Sequence, residues 1–261
     1  MTSKIYAHHP KEVVLSYEIP THLQGIVDEE KQREADLELL DEELKEHGSS
    51  LEEKLSSKII WRMGFPGMIL DVQRISPGDS VKLTLKPIHP HRADLAYKND
   101  TTLSRNVSPL TVNALLESRE GNFVLGIRGG AVETGKIAIV PGGHADYTIP
   151  QIENALETFR SEFREELGYE FDSQEVSPIG VFTNRDTNGL TILYAAKTHC
   201  YFPKILENWA LAKDREEHGS LFQASRQEIQ QLAETGKLTL EGKEYSTTPL
   251  FQDCFRLILE K

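Results

Sequence analysis

The chain has 261 residues, of which 38% are hydrophobic, and a net charge of −12 from 29 basic and 41 acidic side chains. This length and composition predict a globular protein of one large or two modest domains, and the negative charge argues against nonspecific nucleic-acid binding. No apolar run reaches the length of a membrane span, and Cys200 and Cys254 are typical of reduced thiols, so we expect a cytoplasmic protein.

Residues 1–105 are predicted to form an N-terminal α+β accessory region. Alternating apolar residues and turn signals predict strands, whereas apolar residues three or four apart predict helices. The elements in chain order are a strand at 11–20, an acidic helix within 28–48, a short helix near 49–55, and a hairpin of 68–75 with 80–87. The polar residues 87–106 are punctuated by proline, which predicts an extended linker.

Residues 106–261 are predicted to form a second domain of the α/β class. Strand patterns occur at 110–118, 122–128, 136–141, 175–184 and 189–200, and helix patterns at 226–235 and 249–259. Together with a helix between the third and fourth strands, these elements predict a mixed sheet sandwiched between helices.

That helix lies in the stretch PGGHADYTIPQIENALETFRSEFREELGY, which carries the strongest functional signal. Glu162, Glu165 and Glu166 fall three and four residues apart, on one side of the helix. Like charges this close weaken an ordinary helix. A hard divalent cation that takes oxygen ligands and shares its shell with substrate phosphates reverses that effect. The pattern predicts a Mg²⁺ or Mn²⁺ site for phosphate chemistry, with a merely solvated acidic face as the alternative.

The same stretch resembles the signature of the Nudix hydrolases. In that signature a Gly, five residues and a Glu precede seven residues and then Arg-Glu-apolar-x-Glu-Glu-x-Gly-apolar. Glu153 and residues 161–169 fit it, except that Ser161 stands at the Arg position. Gly142 and Gly143 lie four residues farther from Glu153 than the pattern has them, which implies an insertion before the helix. The resemblance implies a Nudix-like fold for the second domain.

The resemblance also implies roles for individual residues. Glu162, Glu165 and Glu166 match the family's metal ligands and catalytic carboxylates, and a backbone carbonyl near Gly143 is expected to complete the metal shell, because glycine permits close backbone approach. The family's Arg helps to orient a catalytic carboxylate, whereas Ser161 supplies neither a charge nor a bidentate fork.

Candidates outside the motif are chosen by their order along the chain. In the family a Glu from a later loop often acts as general base or additional ligand, and Glu217 is our choice, with Glu216 and His218 beside it. The alternative is a solvated pair of loop charges. Arg128, at the end of a predicted strand, is a candidate for binding substrate phosphate, with a surface arginine as the alternative.

We therefore expect a metal-dependent hydrolase of the pyrophosphate bond in a nucleoside diphosphate linked to another group, such as a nucleotide sugar or an ADP-ribose type substrate. Its partner is a small-molecule nucleotide, neither nucleic acid nor membrane. Ser161 and the lengthened loop favour an alternative, a regulatory Nudix domain that binds a nucleotide without hydrolysing it. A third possibility is an assembly protein whose acidic helix only packs. The long N-terminal region indicates a larger substrate, a homodimer or completion of the core.

Overall fold

A computed structural model describes residues 4–56, 68–97, 107–130, 133–147, 155–168, 170, 176–183 and 189–259. The helices are α1 (Glu29–Glu46), α2 (Leu51–Ser56), α3 (Pro90–Tyr97), α4 (Ala155–Leu167), α5 (Phe202–Trp209), α6 (Arg226–Thr235) and α7 (Pro249–Leu259). Short 3-10 helices occupy Thr21–Leu23 and Arg215–Glu217. Among the described residues, no helix has both the length and the apolar character needed to cross a membrane.

The strands fall into two sheets and a separate hairpin. They are β1 (Ile5–His8), β2 (Glu12–Tyr17), β3 (Met68–Ser76), β4 (Ser80–Ile88), β5 (Leu110–Glu117), β6 (Phe123–Arg128), β7 (Ile137–Ile139), β8 (Gly142–His144), β9 (Asp146–Tyr147), β10 (Val176–Thr183), β11 (Leu190–Lys197), β12 (His218–Ala224), β13 (Lys237–Leu240) and β14 (Lys243–Ser246). The larger sheet has the order β1-β10-β11-β5-β6-β12, with β7 paired to β6 and β8 to β5. Because β5 and β11 run parallel and the other pairs antiparallel, this sheet is mixed.

The large sheet buries side chains on both of its faces. Successive strand residues point to opposite faces, and in β5 this alternation sends Ala114 into the cluster that contains Phe163 of α4. The next residue, Leu115, belongs to a second cluster with Leu232 of α6 and Phe255 of α7. Helices therefore cover both faces, which confirms the predicted α/β class with a mixed sheet between helices.

The smaller sheet connects the two predicted regions. Its order is β2-β4-β3-β9, so the short strand β9 from the second region pairs with β3 from the first. In the opposite sense, β1 from the first region pairs with β10 in the large sheet. Leu15 and Leu83 of the small sheet share one hydrophobic cluster with Phe159 of α4. Strands thus cross the predicted division between residues 105 and 106 in both directions.

Local signals place several elements where the sequence predicts them. Helix α6 begins with a capping box between Ser225 and Glu228 and ends at Gly236, whose φ of +69° suits glycine. The bounds of α6 and α7 agree with the predicted helices, and β3 with β4 form the predicted hairpin. The sequence analysis missed β1, α5, β12 and the β13–β14 hairpin.

The prediction of a linker at residues 87–106 is wrong for its first half. Helix α3 begins at Pro90, and proline is favoured in the first helical turn because its missing N–H needs no partner there. Ala93 packs in a buried cluster with Ile69 and Ile88. Residues 98–106 lie outside the described residues.

A buried ionic cluster joins α1 to α3. The Asp36 carboxylate is almost fully buried, with Oδ2 accepting hydrogen bonds from the His89 backbone N–H at 2.5 Å and from Arg92 Nε at 3.1 Å. Arg92 Nη1 also donates to Glu43 at 2.7 Å. Burial, and then the nearby positive charges, lower the pKa of His89 to about 3, so this imidazole is neutral at physiological pH. The cluster pairs the charges of Asp36 and Arg92, which docking of the acidic helix onto α3 buries.

We predict that Asp36→Ala lowers the free energy of unfolding by about 3 kcal/mol, because it leaves the buried His89 N–H without its acceptor and Arg92 with only the partly exposed Glu43 as a counter-charge. Chemical denaturation measures this change. Asp79→Ala is the matched control, because its 2.9 Å ion pair with Lys11 is exposed and its loss should alter stability little. Equal effects of the two substitutions would contradict the structural role of the cluster.

Candidate active site

Helix α4 is the motif helix and is held against the large sheet by its apolar side. Phe159, Phe163 and Leu167 are buried in the main cluster. The helix ends at Gly168, which has a φ of +75° and donates its N–H to the Arg164 carbonyl at 3.0 Å. A Cβ on Gly168 would lie 2.4 Å from the Asn208 carbonyl oxygen, so glycine permits close packing of α5 here. Glu153 and Tyr169, also in the Nudix-like pattern, lie outside the described residues.

The three motif carboxylates differ in their surroundings. Glu166 is buried, whereas Glu162 and Glu165 are partly exposed. Burial, and then repulsion from neighbouring carboxylates, raise the pKa of Glu162 and of Glu166 well above the ordinary value. Burial also acts to raise the pKa of Glu165, but hydrogen bonds from Lys213 and Ser161 outweigh it and lower that pKa. Glu162 and Glu166 are thus the pair most in need of a cation.

The glycine pair lies directly against these two carboxylates. A Cβ on Gly143 would lie 2.3 Å from Oε1 of Glu162, so any side chain there would force the Glu162 carboxylate to move. The Gly142 N–H donates to Oε2 of Glu166 at 3.3 Å. Strand β8 is fixed by pairing with β5, where Gly143 is opposite Val112. The structure therefore brings together Gly143, Glu162 and Glu166, as the resemblance implies.

The insertion expected before the helix is partly accounted for by strand structure. Strand β8 joins the large sheet, and β9 joins the small sheet two residues later, with Asp146 opposite Ile69 of β3. The charge of Asp146 is among the causes that raise the pKa of Glu162, so this carboxylate lies near Glu162. The sequence analysis missed Asp146. The extra length of the segment was the signal that could have drawn attention to it.

Arg128 and Glu217 lie at the end of the β6–β12 pair, beside the motif helix. Nη1 of Arg128 is 3.4 Å from Oε2 of Glu217, and the Gly129 N–H donates to the Glu217 carbonyl at 2.8 Å. The charge of Glu217 raises the pKa of both Glu162 and Glu166, whereas Arg128 opposes the rise at Glu166. The structure thus brings Arg128 and Glu217 near the carboxylates, and Glu216, like Glu217, is exposed.

His218 is closer to the carboxylates than its minor place in the sequence analysis suggested. Its side chain is 1% exposed, its Nε2 lies 3.5 Å from Oε2 of Glu166, and neither ring nitrogen makes a hydrogen bond to a described residue. A Cβ on Gly126 would lie 2.4 Å from Nδ1, so that glycine makes room for the ring. Burial, and then the charge of Arg128, lower the pKa of His218 to about 4. The neutral imidazole of His218 therefore lies next to the Glu166 carboxylate.

The donor set fits a hard divalent cation. Carboxylate and carbonyl oxygens are the ligands that Mg²⁺ and Mn²⁺ prefer, and Gly143 leaves no side chain between its backbone and Glu162. Within the described residues, no three His, Cys, Asp or Glu side chains already surround a metal position. Binding therefore requires the carboxylate ends to turn toward a common point.

Comparisons with known proteins give matches only among solved structures. No protein-family model and no curated protein matches the chain. A Nudix hydrolase from Nitrosomonas europaea is 18% identical over 59% of this chain and 89% of its own, with a TM-score of 0.40. The MutT protein of Methanosarcina mazei Go1 is 20% identical over 59% and 94%, with a TM-score of 0.40. The Nudix domain of Shewanella oneidensis NrtR, complexed with ADP ribose, is 12% identical over 64% and 96%, with a TM-score of 0.41. At these sequence identities and TM-scores the structural matches assign no function to this chain, and the function is inferred from the site residues.

We predict that Gly143→Ala displaces the Glu162 carboxylate while leaving the fold intact, because the atoms in conflict are the far end of a flexible side chain. The melting temperature without metal should change little, and its rise with added Mn²⁺ should shrink, since a metal stabilises only by binding the folded state. Gly78→Ala is the control, because the nearest atom to its Cβ would be 3.5 Å away. An undiminished Mn²⁺ response in Gly143→Ala would exclude this position from the metal site.

Proposed function

We propose that this protein is a Nudix-type hydrolase that cleaves a pyrophosphate bond with Mg²⁺ or Mn²⁺. The observation that carries the proposal is the contact of the Glu162 carboxylate with the backbone at Gly143, beside the buried Glu166. It joins the two halves of the Nudix-like pattern in space, although they stand farther apart in sequence than the family pattern has them. A merely solvated acidic face would not bury Glu166 or hold the Glu162 carboxylate against a glycine backbone.

In this proposal Glu162, Glu165 and Glu166, with the backbone carbonyl of Gly143, hold the cation. A bound cation supplies charge neutralisation at the pyrophosphate and positions or activates water. Each carboxylate oxygen has two lone pairs, so one that already accepts a hydrogen bond still has a lone pair for a metal. The Gly142 N–H and the neutral His218 ring lie on the Oε2 side of Glu166, and restrict the orientation of that carboxylate.

Glu217 is proposed as the general base or an additional ligand, and Arg128 as a residue that binds substrate phosphate. Their 3.4 Å ion pair supports a shared location beside the carboxylates. One N–H group of Arg128 faces Glu217, and a guanidinium group carries further N–H donors that can bind a phosphate. Glu217 is half exposed, which suits a group that must reach water.

The proposed substrate is a nucleoside diphosphate linked to another moiety, such as a nucleotide sugar or an ADP-ribose type molecule. Support comes from the resemblance of the motif, and the Shewanella Nudix domain in complex with ADP ribose is a precedent for that ligand class. The net charge of −12 supports a small-molecule partner over nucleic acid.

Two free cysteines support a cytoplasmic location. Size-exclusion chromatography with light scattering tests the proposed homodimer.

Ser161 is the residue that favours the alternative, a regulatory domain that binds a nucleotide without hydrolysing it. Its hydroxyl nevertheless donates to Oε1 of Glu165 at 3.1 Å, so the position still supports a motif carboxylate. This contact favours hydrolysis over the alternative. Nucleotide binding without turnover at saturating metal would reverse that preference.

The test is a panel of nucleotide sugars, dinucleotides and nucleoside triphosphates, assayed with Mg²⁺ and with Mn²⁺ for phosphate-containing products. We predict metal-dependent cleavage of a nucleoside diphosphate derivative. Glu166→Gln should remove most of the metal-induced rise in melting temperature, because it loses the most deeply buried ligand. Glu162→Gln and Glu165→Gln should be partly rescued by excess metal.

Glu217→Gln should resist that rescue, because loss of a general base lowers turnover by a factor of about 10² to 10⁴ even at saturating metal. Full activity of both Glu216→Gln and Glu217→Gln at low and high metal would remove this loop from the mechanism. A metal response of Glu166→Gln equal to that of the unmodified protein would refute the metal site itself.

A further inference from the structure

Glu165 is the one motif carboxylate with a hydrogen-bond donor on each oxygen among the described contacts. Ser161 Oγ, one helical turn earlier, donates to Oε1 at 3.1 Å. Lys213 Nζ, from the segment that follows α5, donates to Oε2 at 2.9 Å. Two donors on opposite oxygens fix the plane of the carboxylate, which a single ion pair does not. Lys213 also brings the positive charge that Ser161 cannot supply.

The backbone holds Lys213 in this place. Asp214 donates its N–H to the Glu165 carbonyl at 2.9 Å, and Ala212, which is buried, donates its N–H to the Trp209 carbonyl at 3.0 Å. The residues on both sides of Lys213 are therefore anchored, one to α4 and the other to the end of α5. The side chain itself is 72% exposed, so its ion pair contributes little to stability. An anchored backbone with an exposed ammonium group suits positioning better than folding.

Resting on the function proposed above, we propose that Lys213 is a positioning residue which, with Ser161, orients the Glu165 carboxylate for binding a divalent cation. The Nudix-like pattern has a positively charged arginine at position 161. In this chain the positive charge comes instead from Lys213, in a loop distant in sequence. The ammonium group occupies one lone pair of Oε2 and leaves others for a metal.

Two other roles would produce the same contact. In the first, Lys213 only anchors the loop that carries Glu217; in the second, it only neutralises charge near the site. If Lys213 only anchors the loop, an arginine introduced at position 161 of α4 cannot replace it, because that arginine does not contact the loop. Mere neutralisation predicts that removing Lys213 strengthens metal binding, because a positive charge is lost. If Lys213 positions Glu165, an arginine at position 161 should restore the function, and removing Lys213 should weaken metal binding.

The experiment compares Lys213→Ala, Lys213→Arg and the double variant Ser161→Arg/Lys213→Ala with the unmodified protein. We expect Lys213→Ala to lower kcat about 10-fold at intermediate Mg²⁺, within the range found when a ligand's supporting partner is removed. Lys213→Arg should retain most of the activity. The double variant Ser161→Arg/Lys213→Ala should recover much of the activity that Lys213→Ala loses. Lys204→Ala is the matched control, because Lys204 forms a 2.9 Å exposed pair with Glu207 on α5, apart from the motif carboxylates.

The second readout is the rise in melting temperature that Mn²⁺ gives to the metal-free protein, and it requires no turnover. Lys213→Ala should reduce this rise, and the added Ser161→Arg should recover it. An equal or larger rise in Lys213→Ala, or no recovery in the double variant, would overturn the positioning role. If the unmodified protein hydrolyses nothing with any metal, the proposed function falls, and the Mn²⁺ response alone decides the role of Lys213.

Discussion

The close approach of α4 to strand β8 is the constraint on which the site depends. Glu162 and Glu166 lie one helical turn apart, and burying two like charges so close disfavours their ionised forms. The structure brings them against a glycine pair instead of moving them apart, with the Gly142 N–H donating to Glu166. Any side chain at Gly143 would push Glu162 away. An arrangement that is unfavourable without a cation becomes favourable with one, which gives the proposed metal-dependent hydrolysis its physical basis.

The two sheets fix the geometry of this approach together. Strand β8 belongs to the large sheet and β9 to the small one, so residues 142–147 are held at both ends. The small sheet is built mainly from the N-terminal region, and its Leu15 and Leu83 share a cluster with Phe159 of α4. Of the three roles considered for that region, completing the core is the one this packing supports. The N-terminal region thereby supports the proposed site without supplying its motif residues.

Local sequence signals account for much of the fold and for the motif helix, but not for everything near the site. A helix pattern at residues 226–235 predicted α6, and in the structure this helix begins with a capping box and ends at a glycine. Apolar residues three and four apart predicted α4 with its carboxylates. Asp146 is indicated only by the extra length of its segment, because its position depends on the pairing of β9 with the distant strand β3. Lys213 has no local signal, because its position near the site depends on contact with the distant Glu165. Helix α3 was missed for a related reason: its polar residues are paired with α1, some fifty positions away in sequence.

The central claim is that the α4 carboxylates and Gly143 bind one divalent cation that the reaction requires. Anomalous scattering from crystals grown with Mn²⁺ tests it most directly, because the peak locates the ion independently of any activity. We expect a Mn²⁺ peak within coordination distance of carboxylate oxygens of Glu162 and Glu166 and of the Gly143 carbonyl oxygen. A saturated crystal with no peak between α4 and β8, or with Mn²⁺ only at other carboxylates, would contradict it.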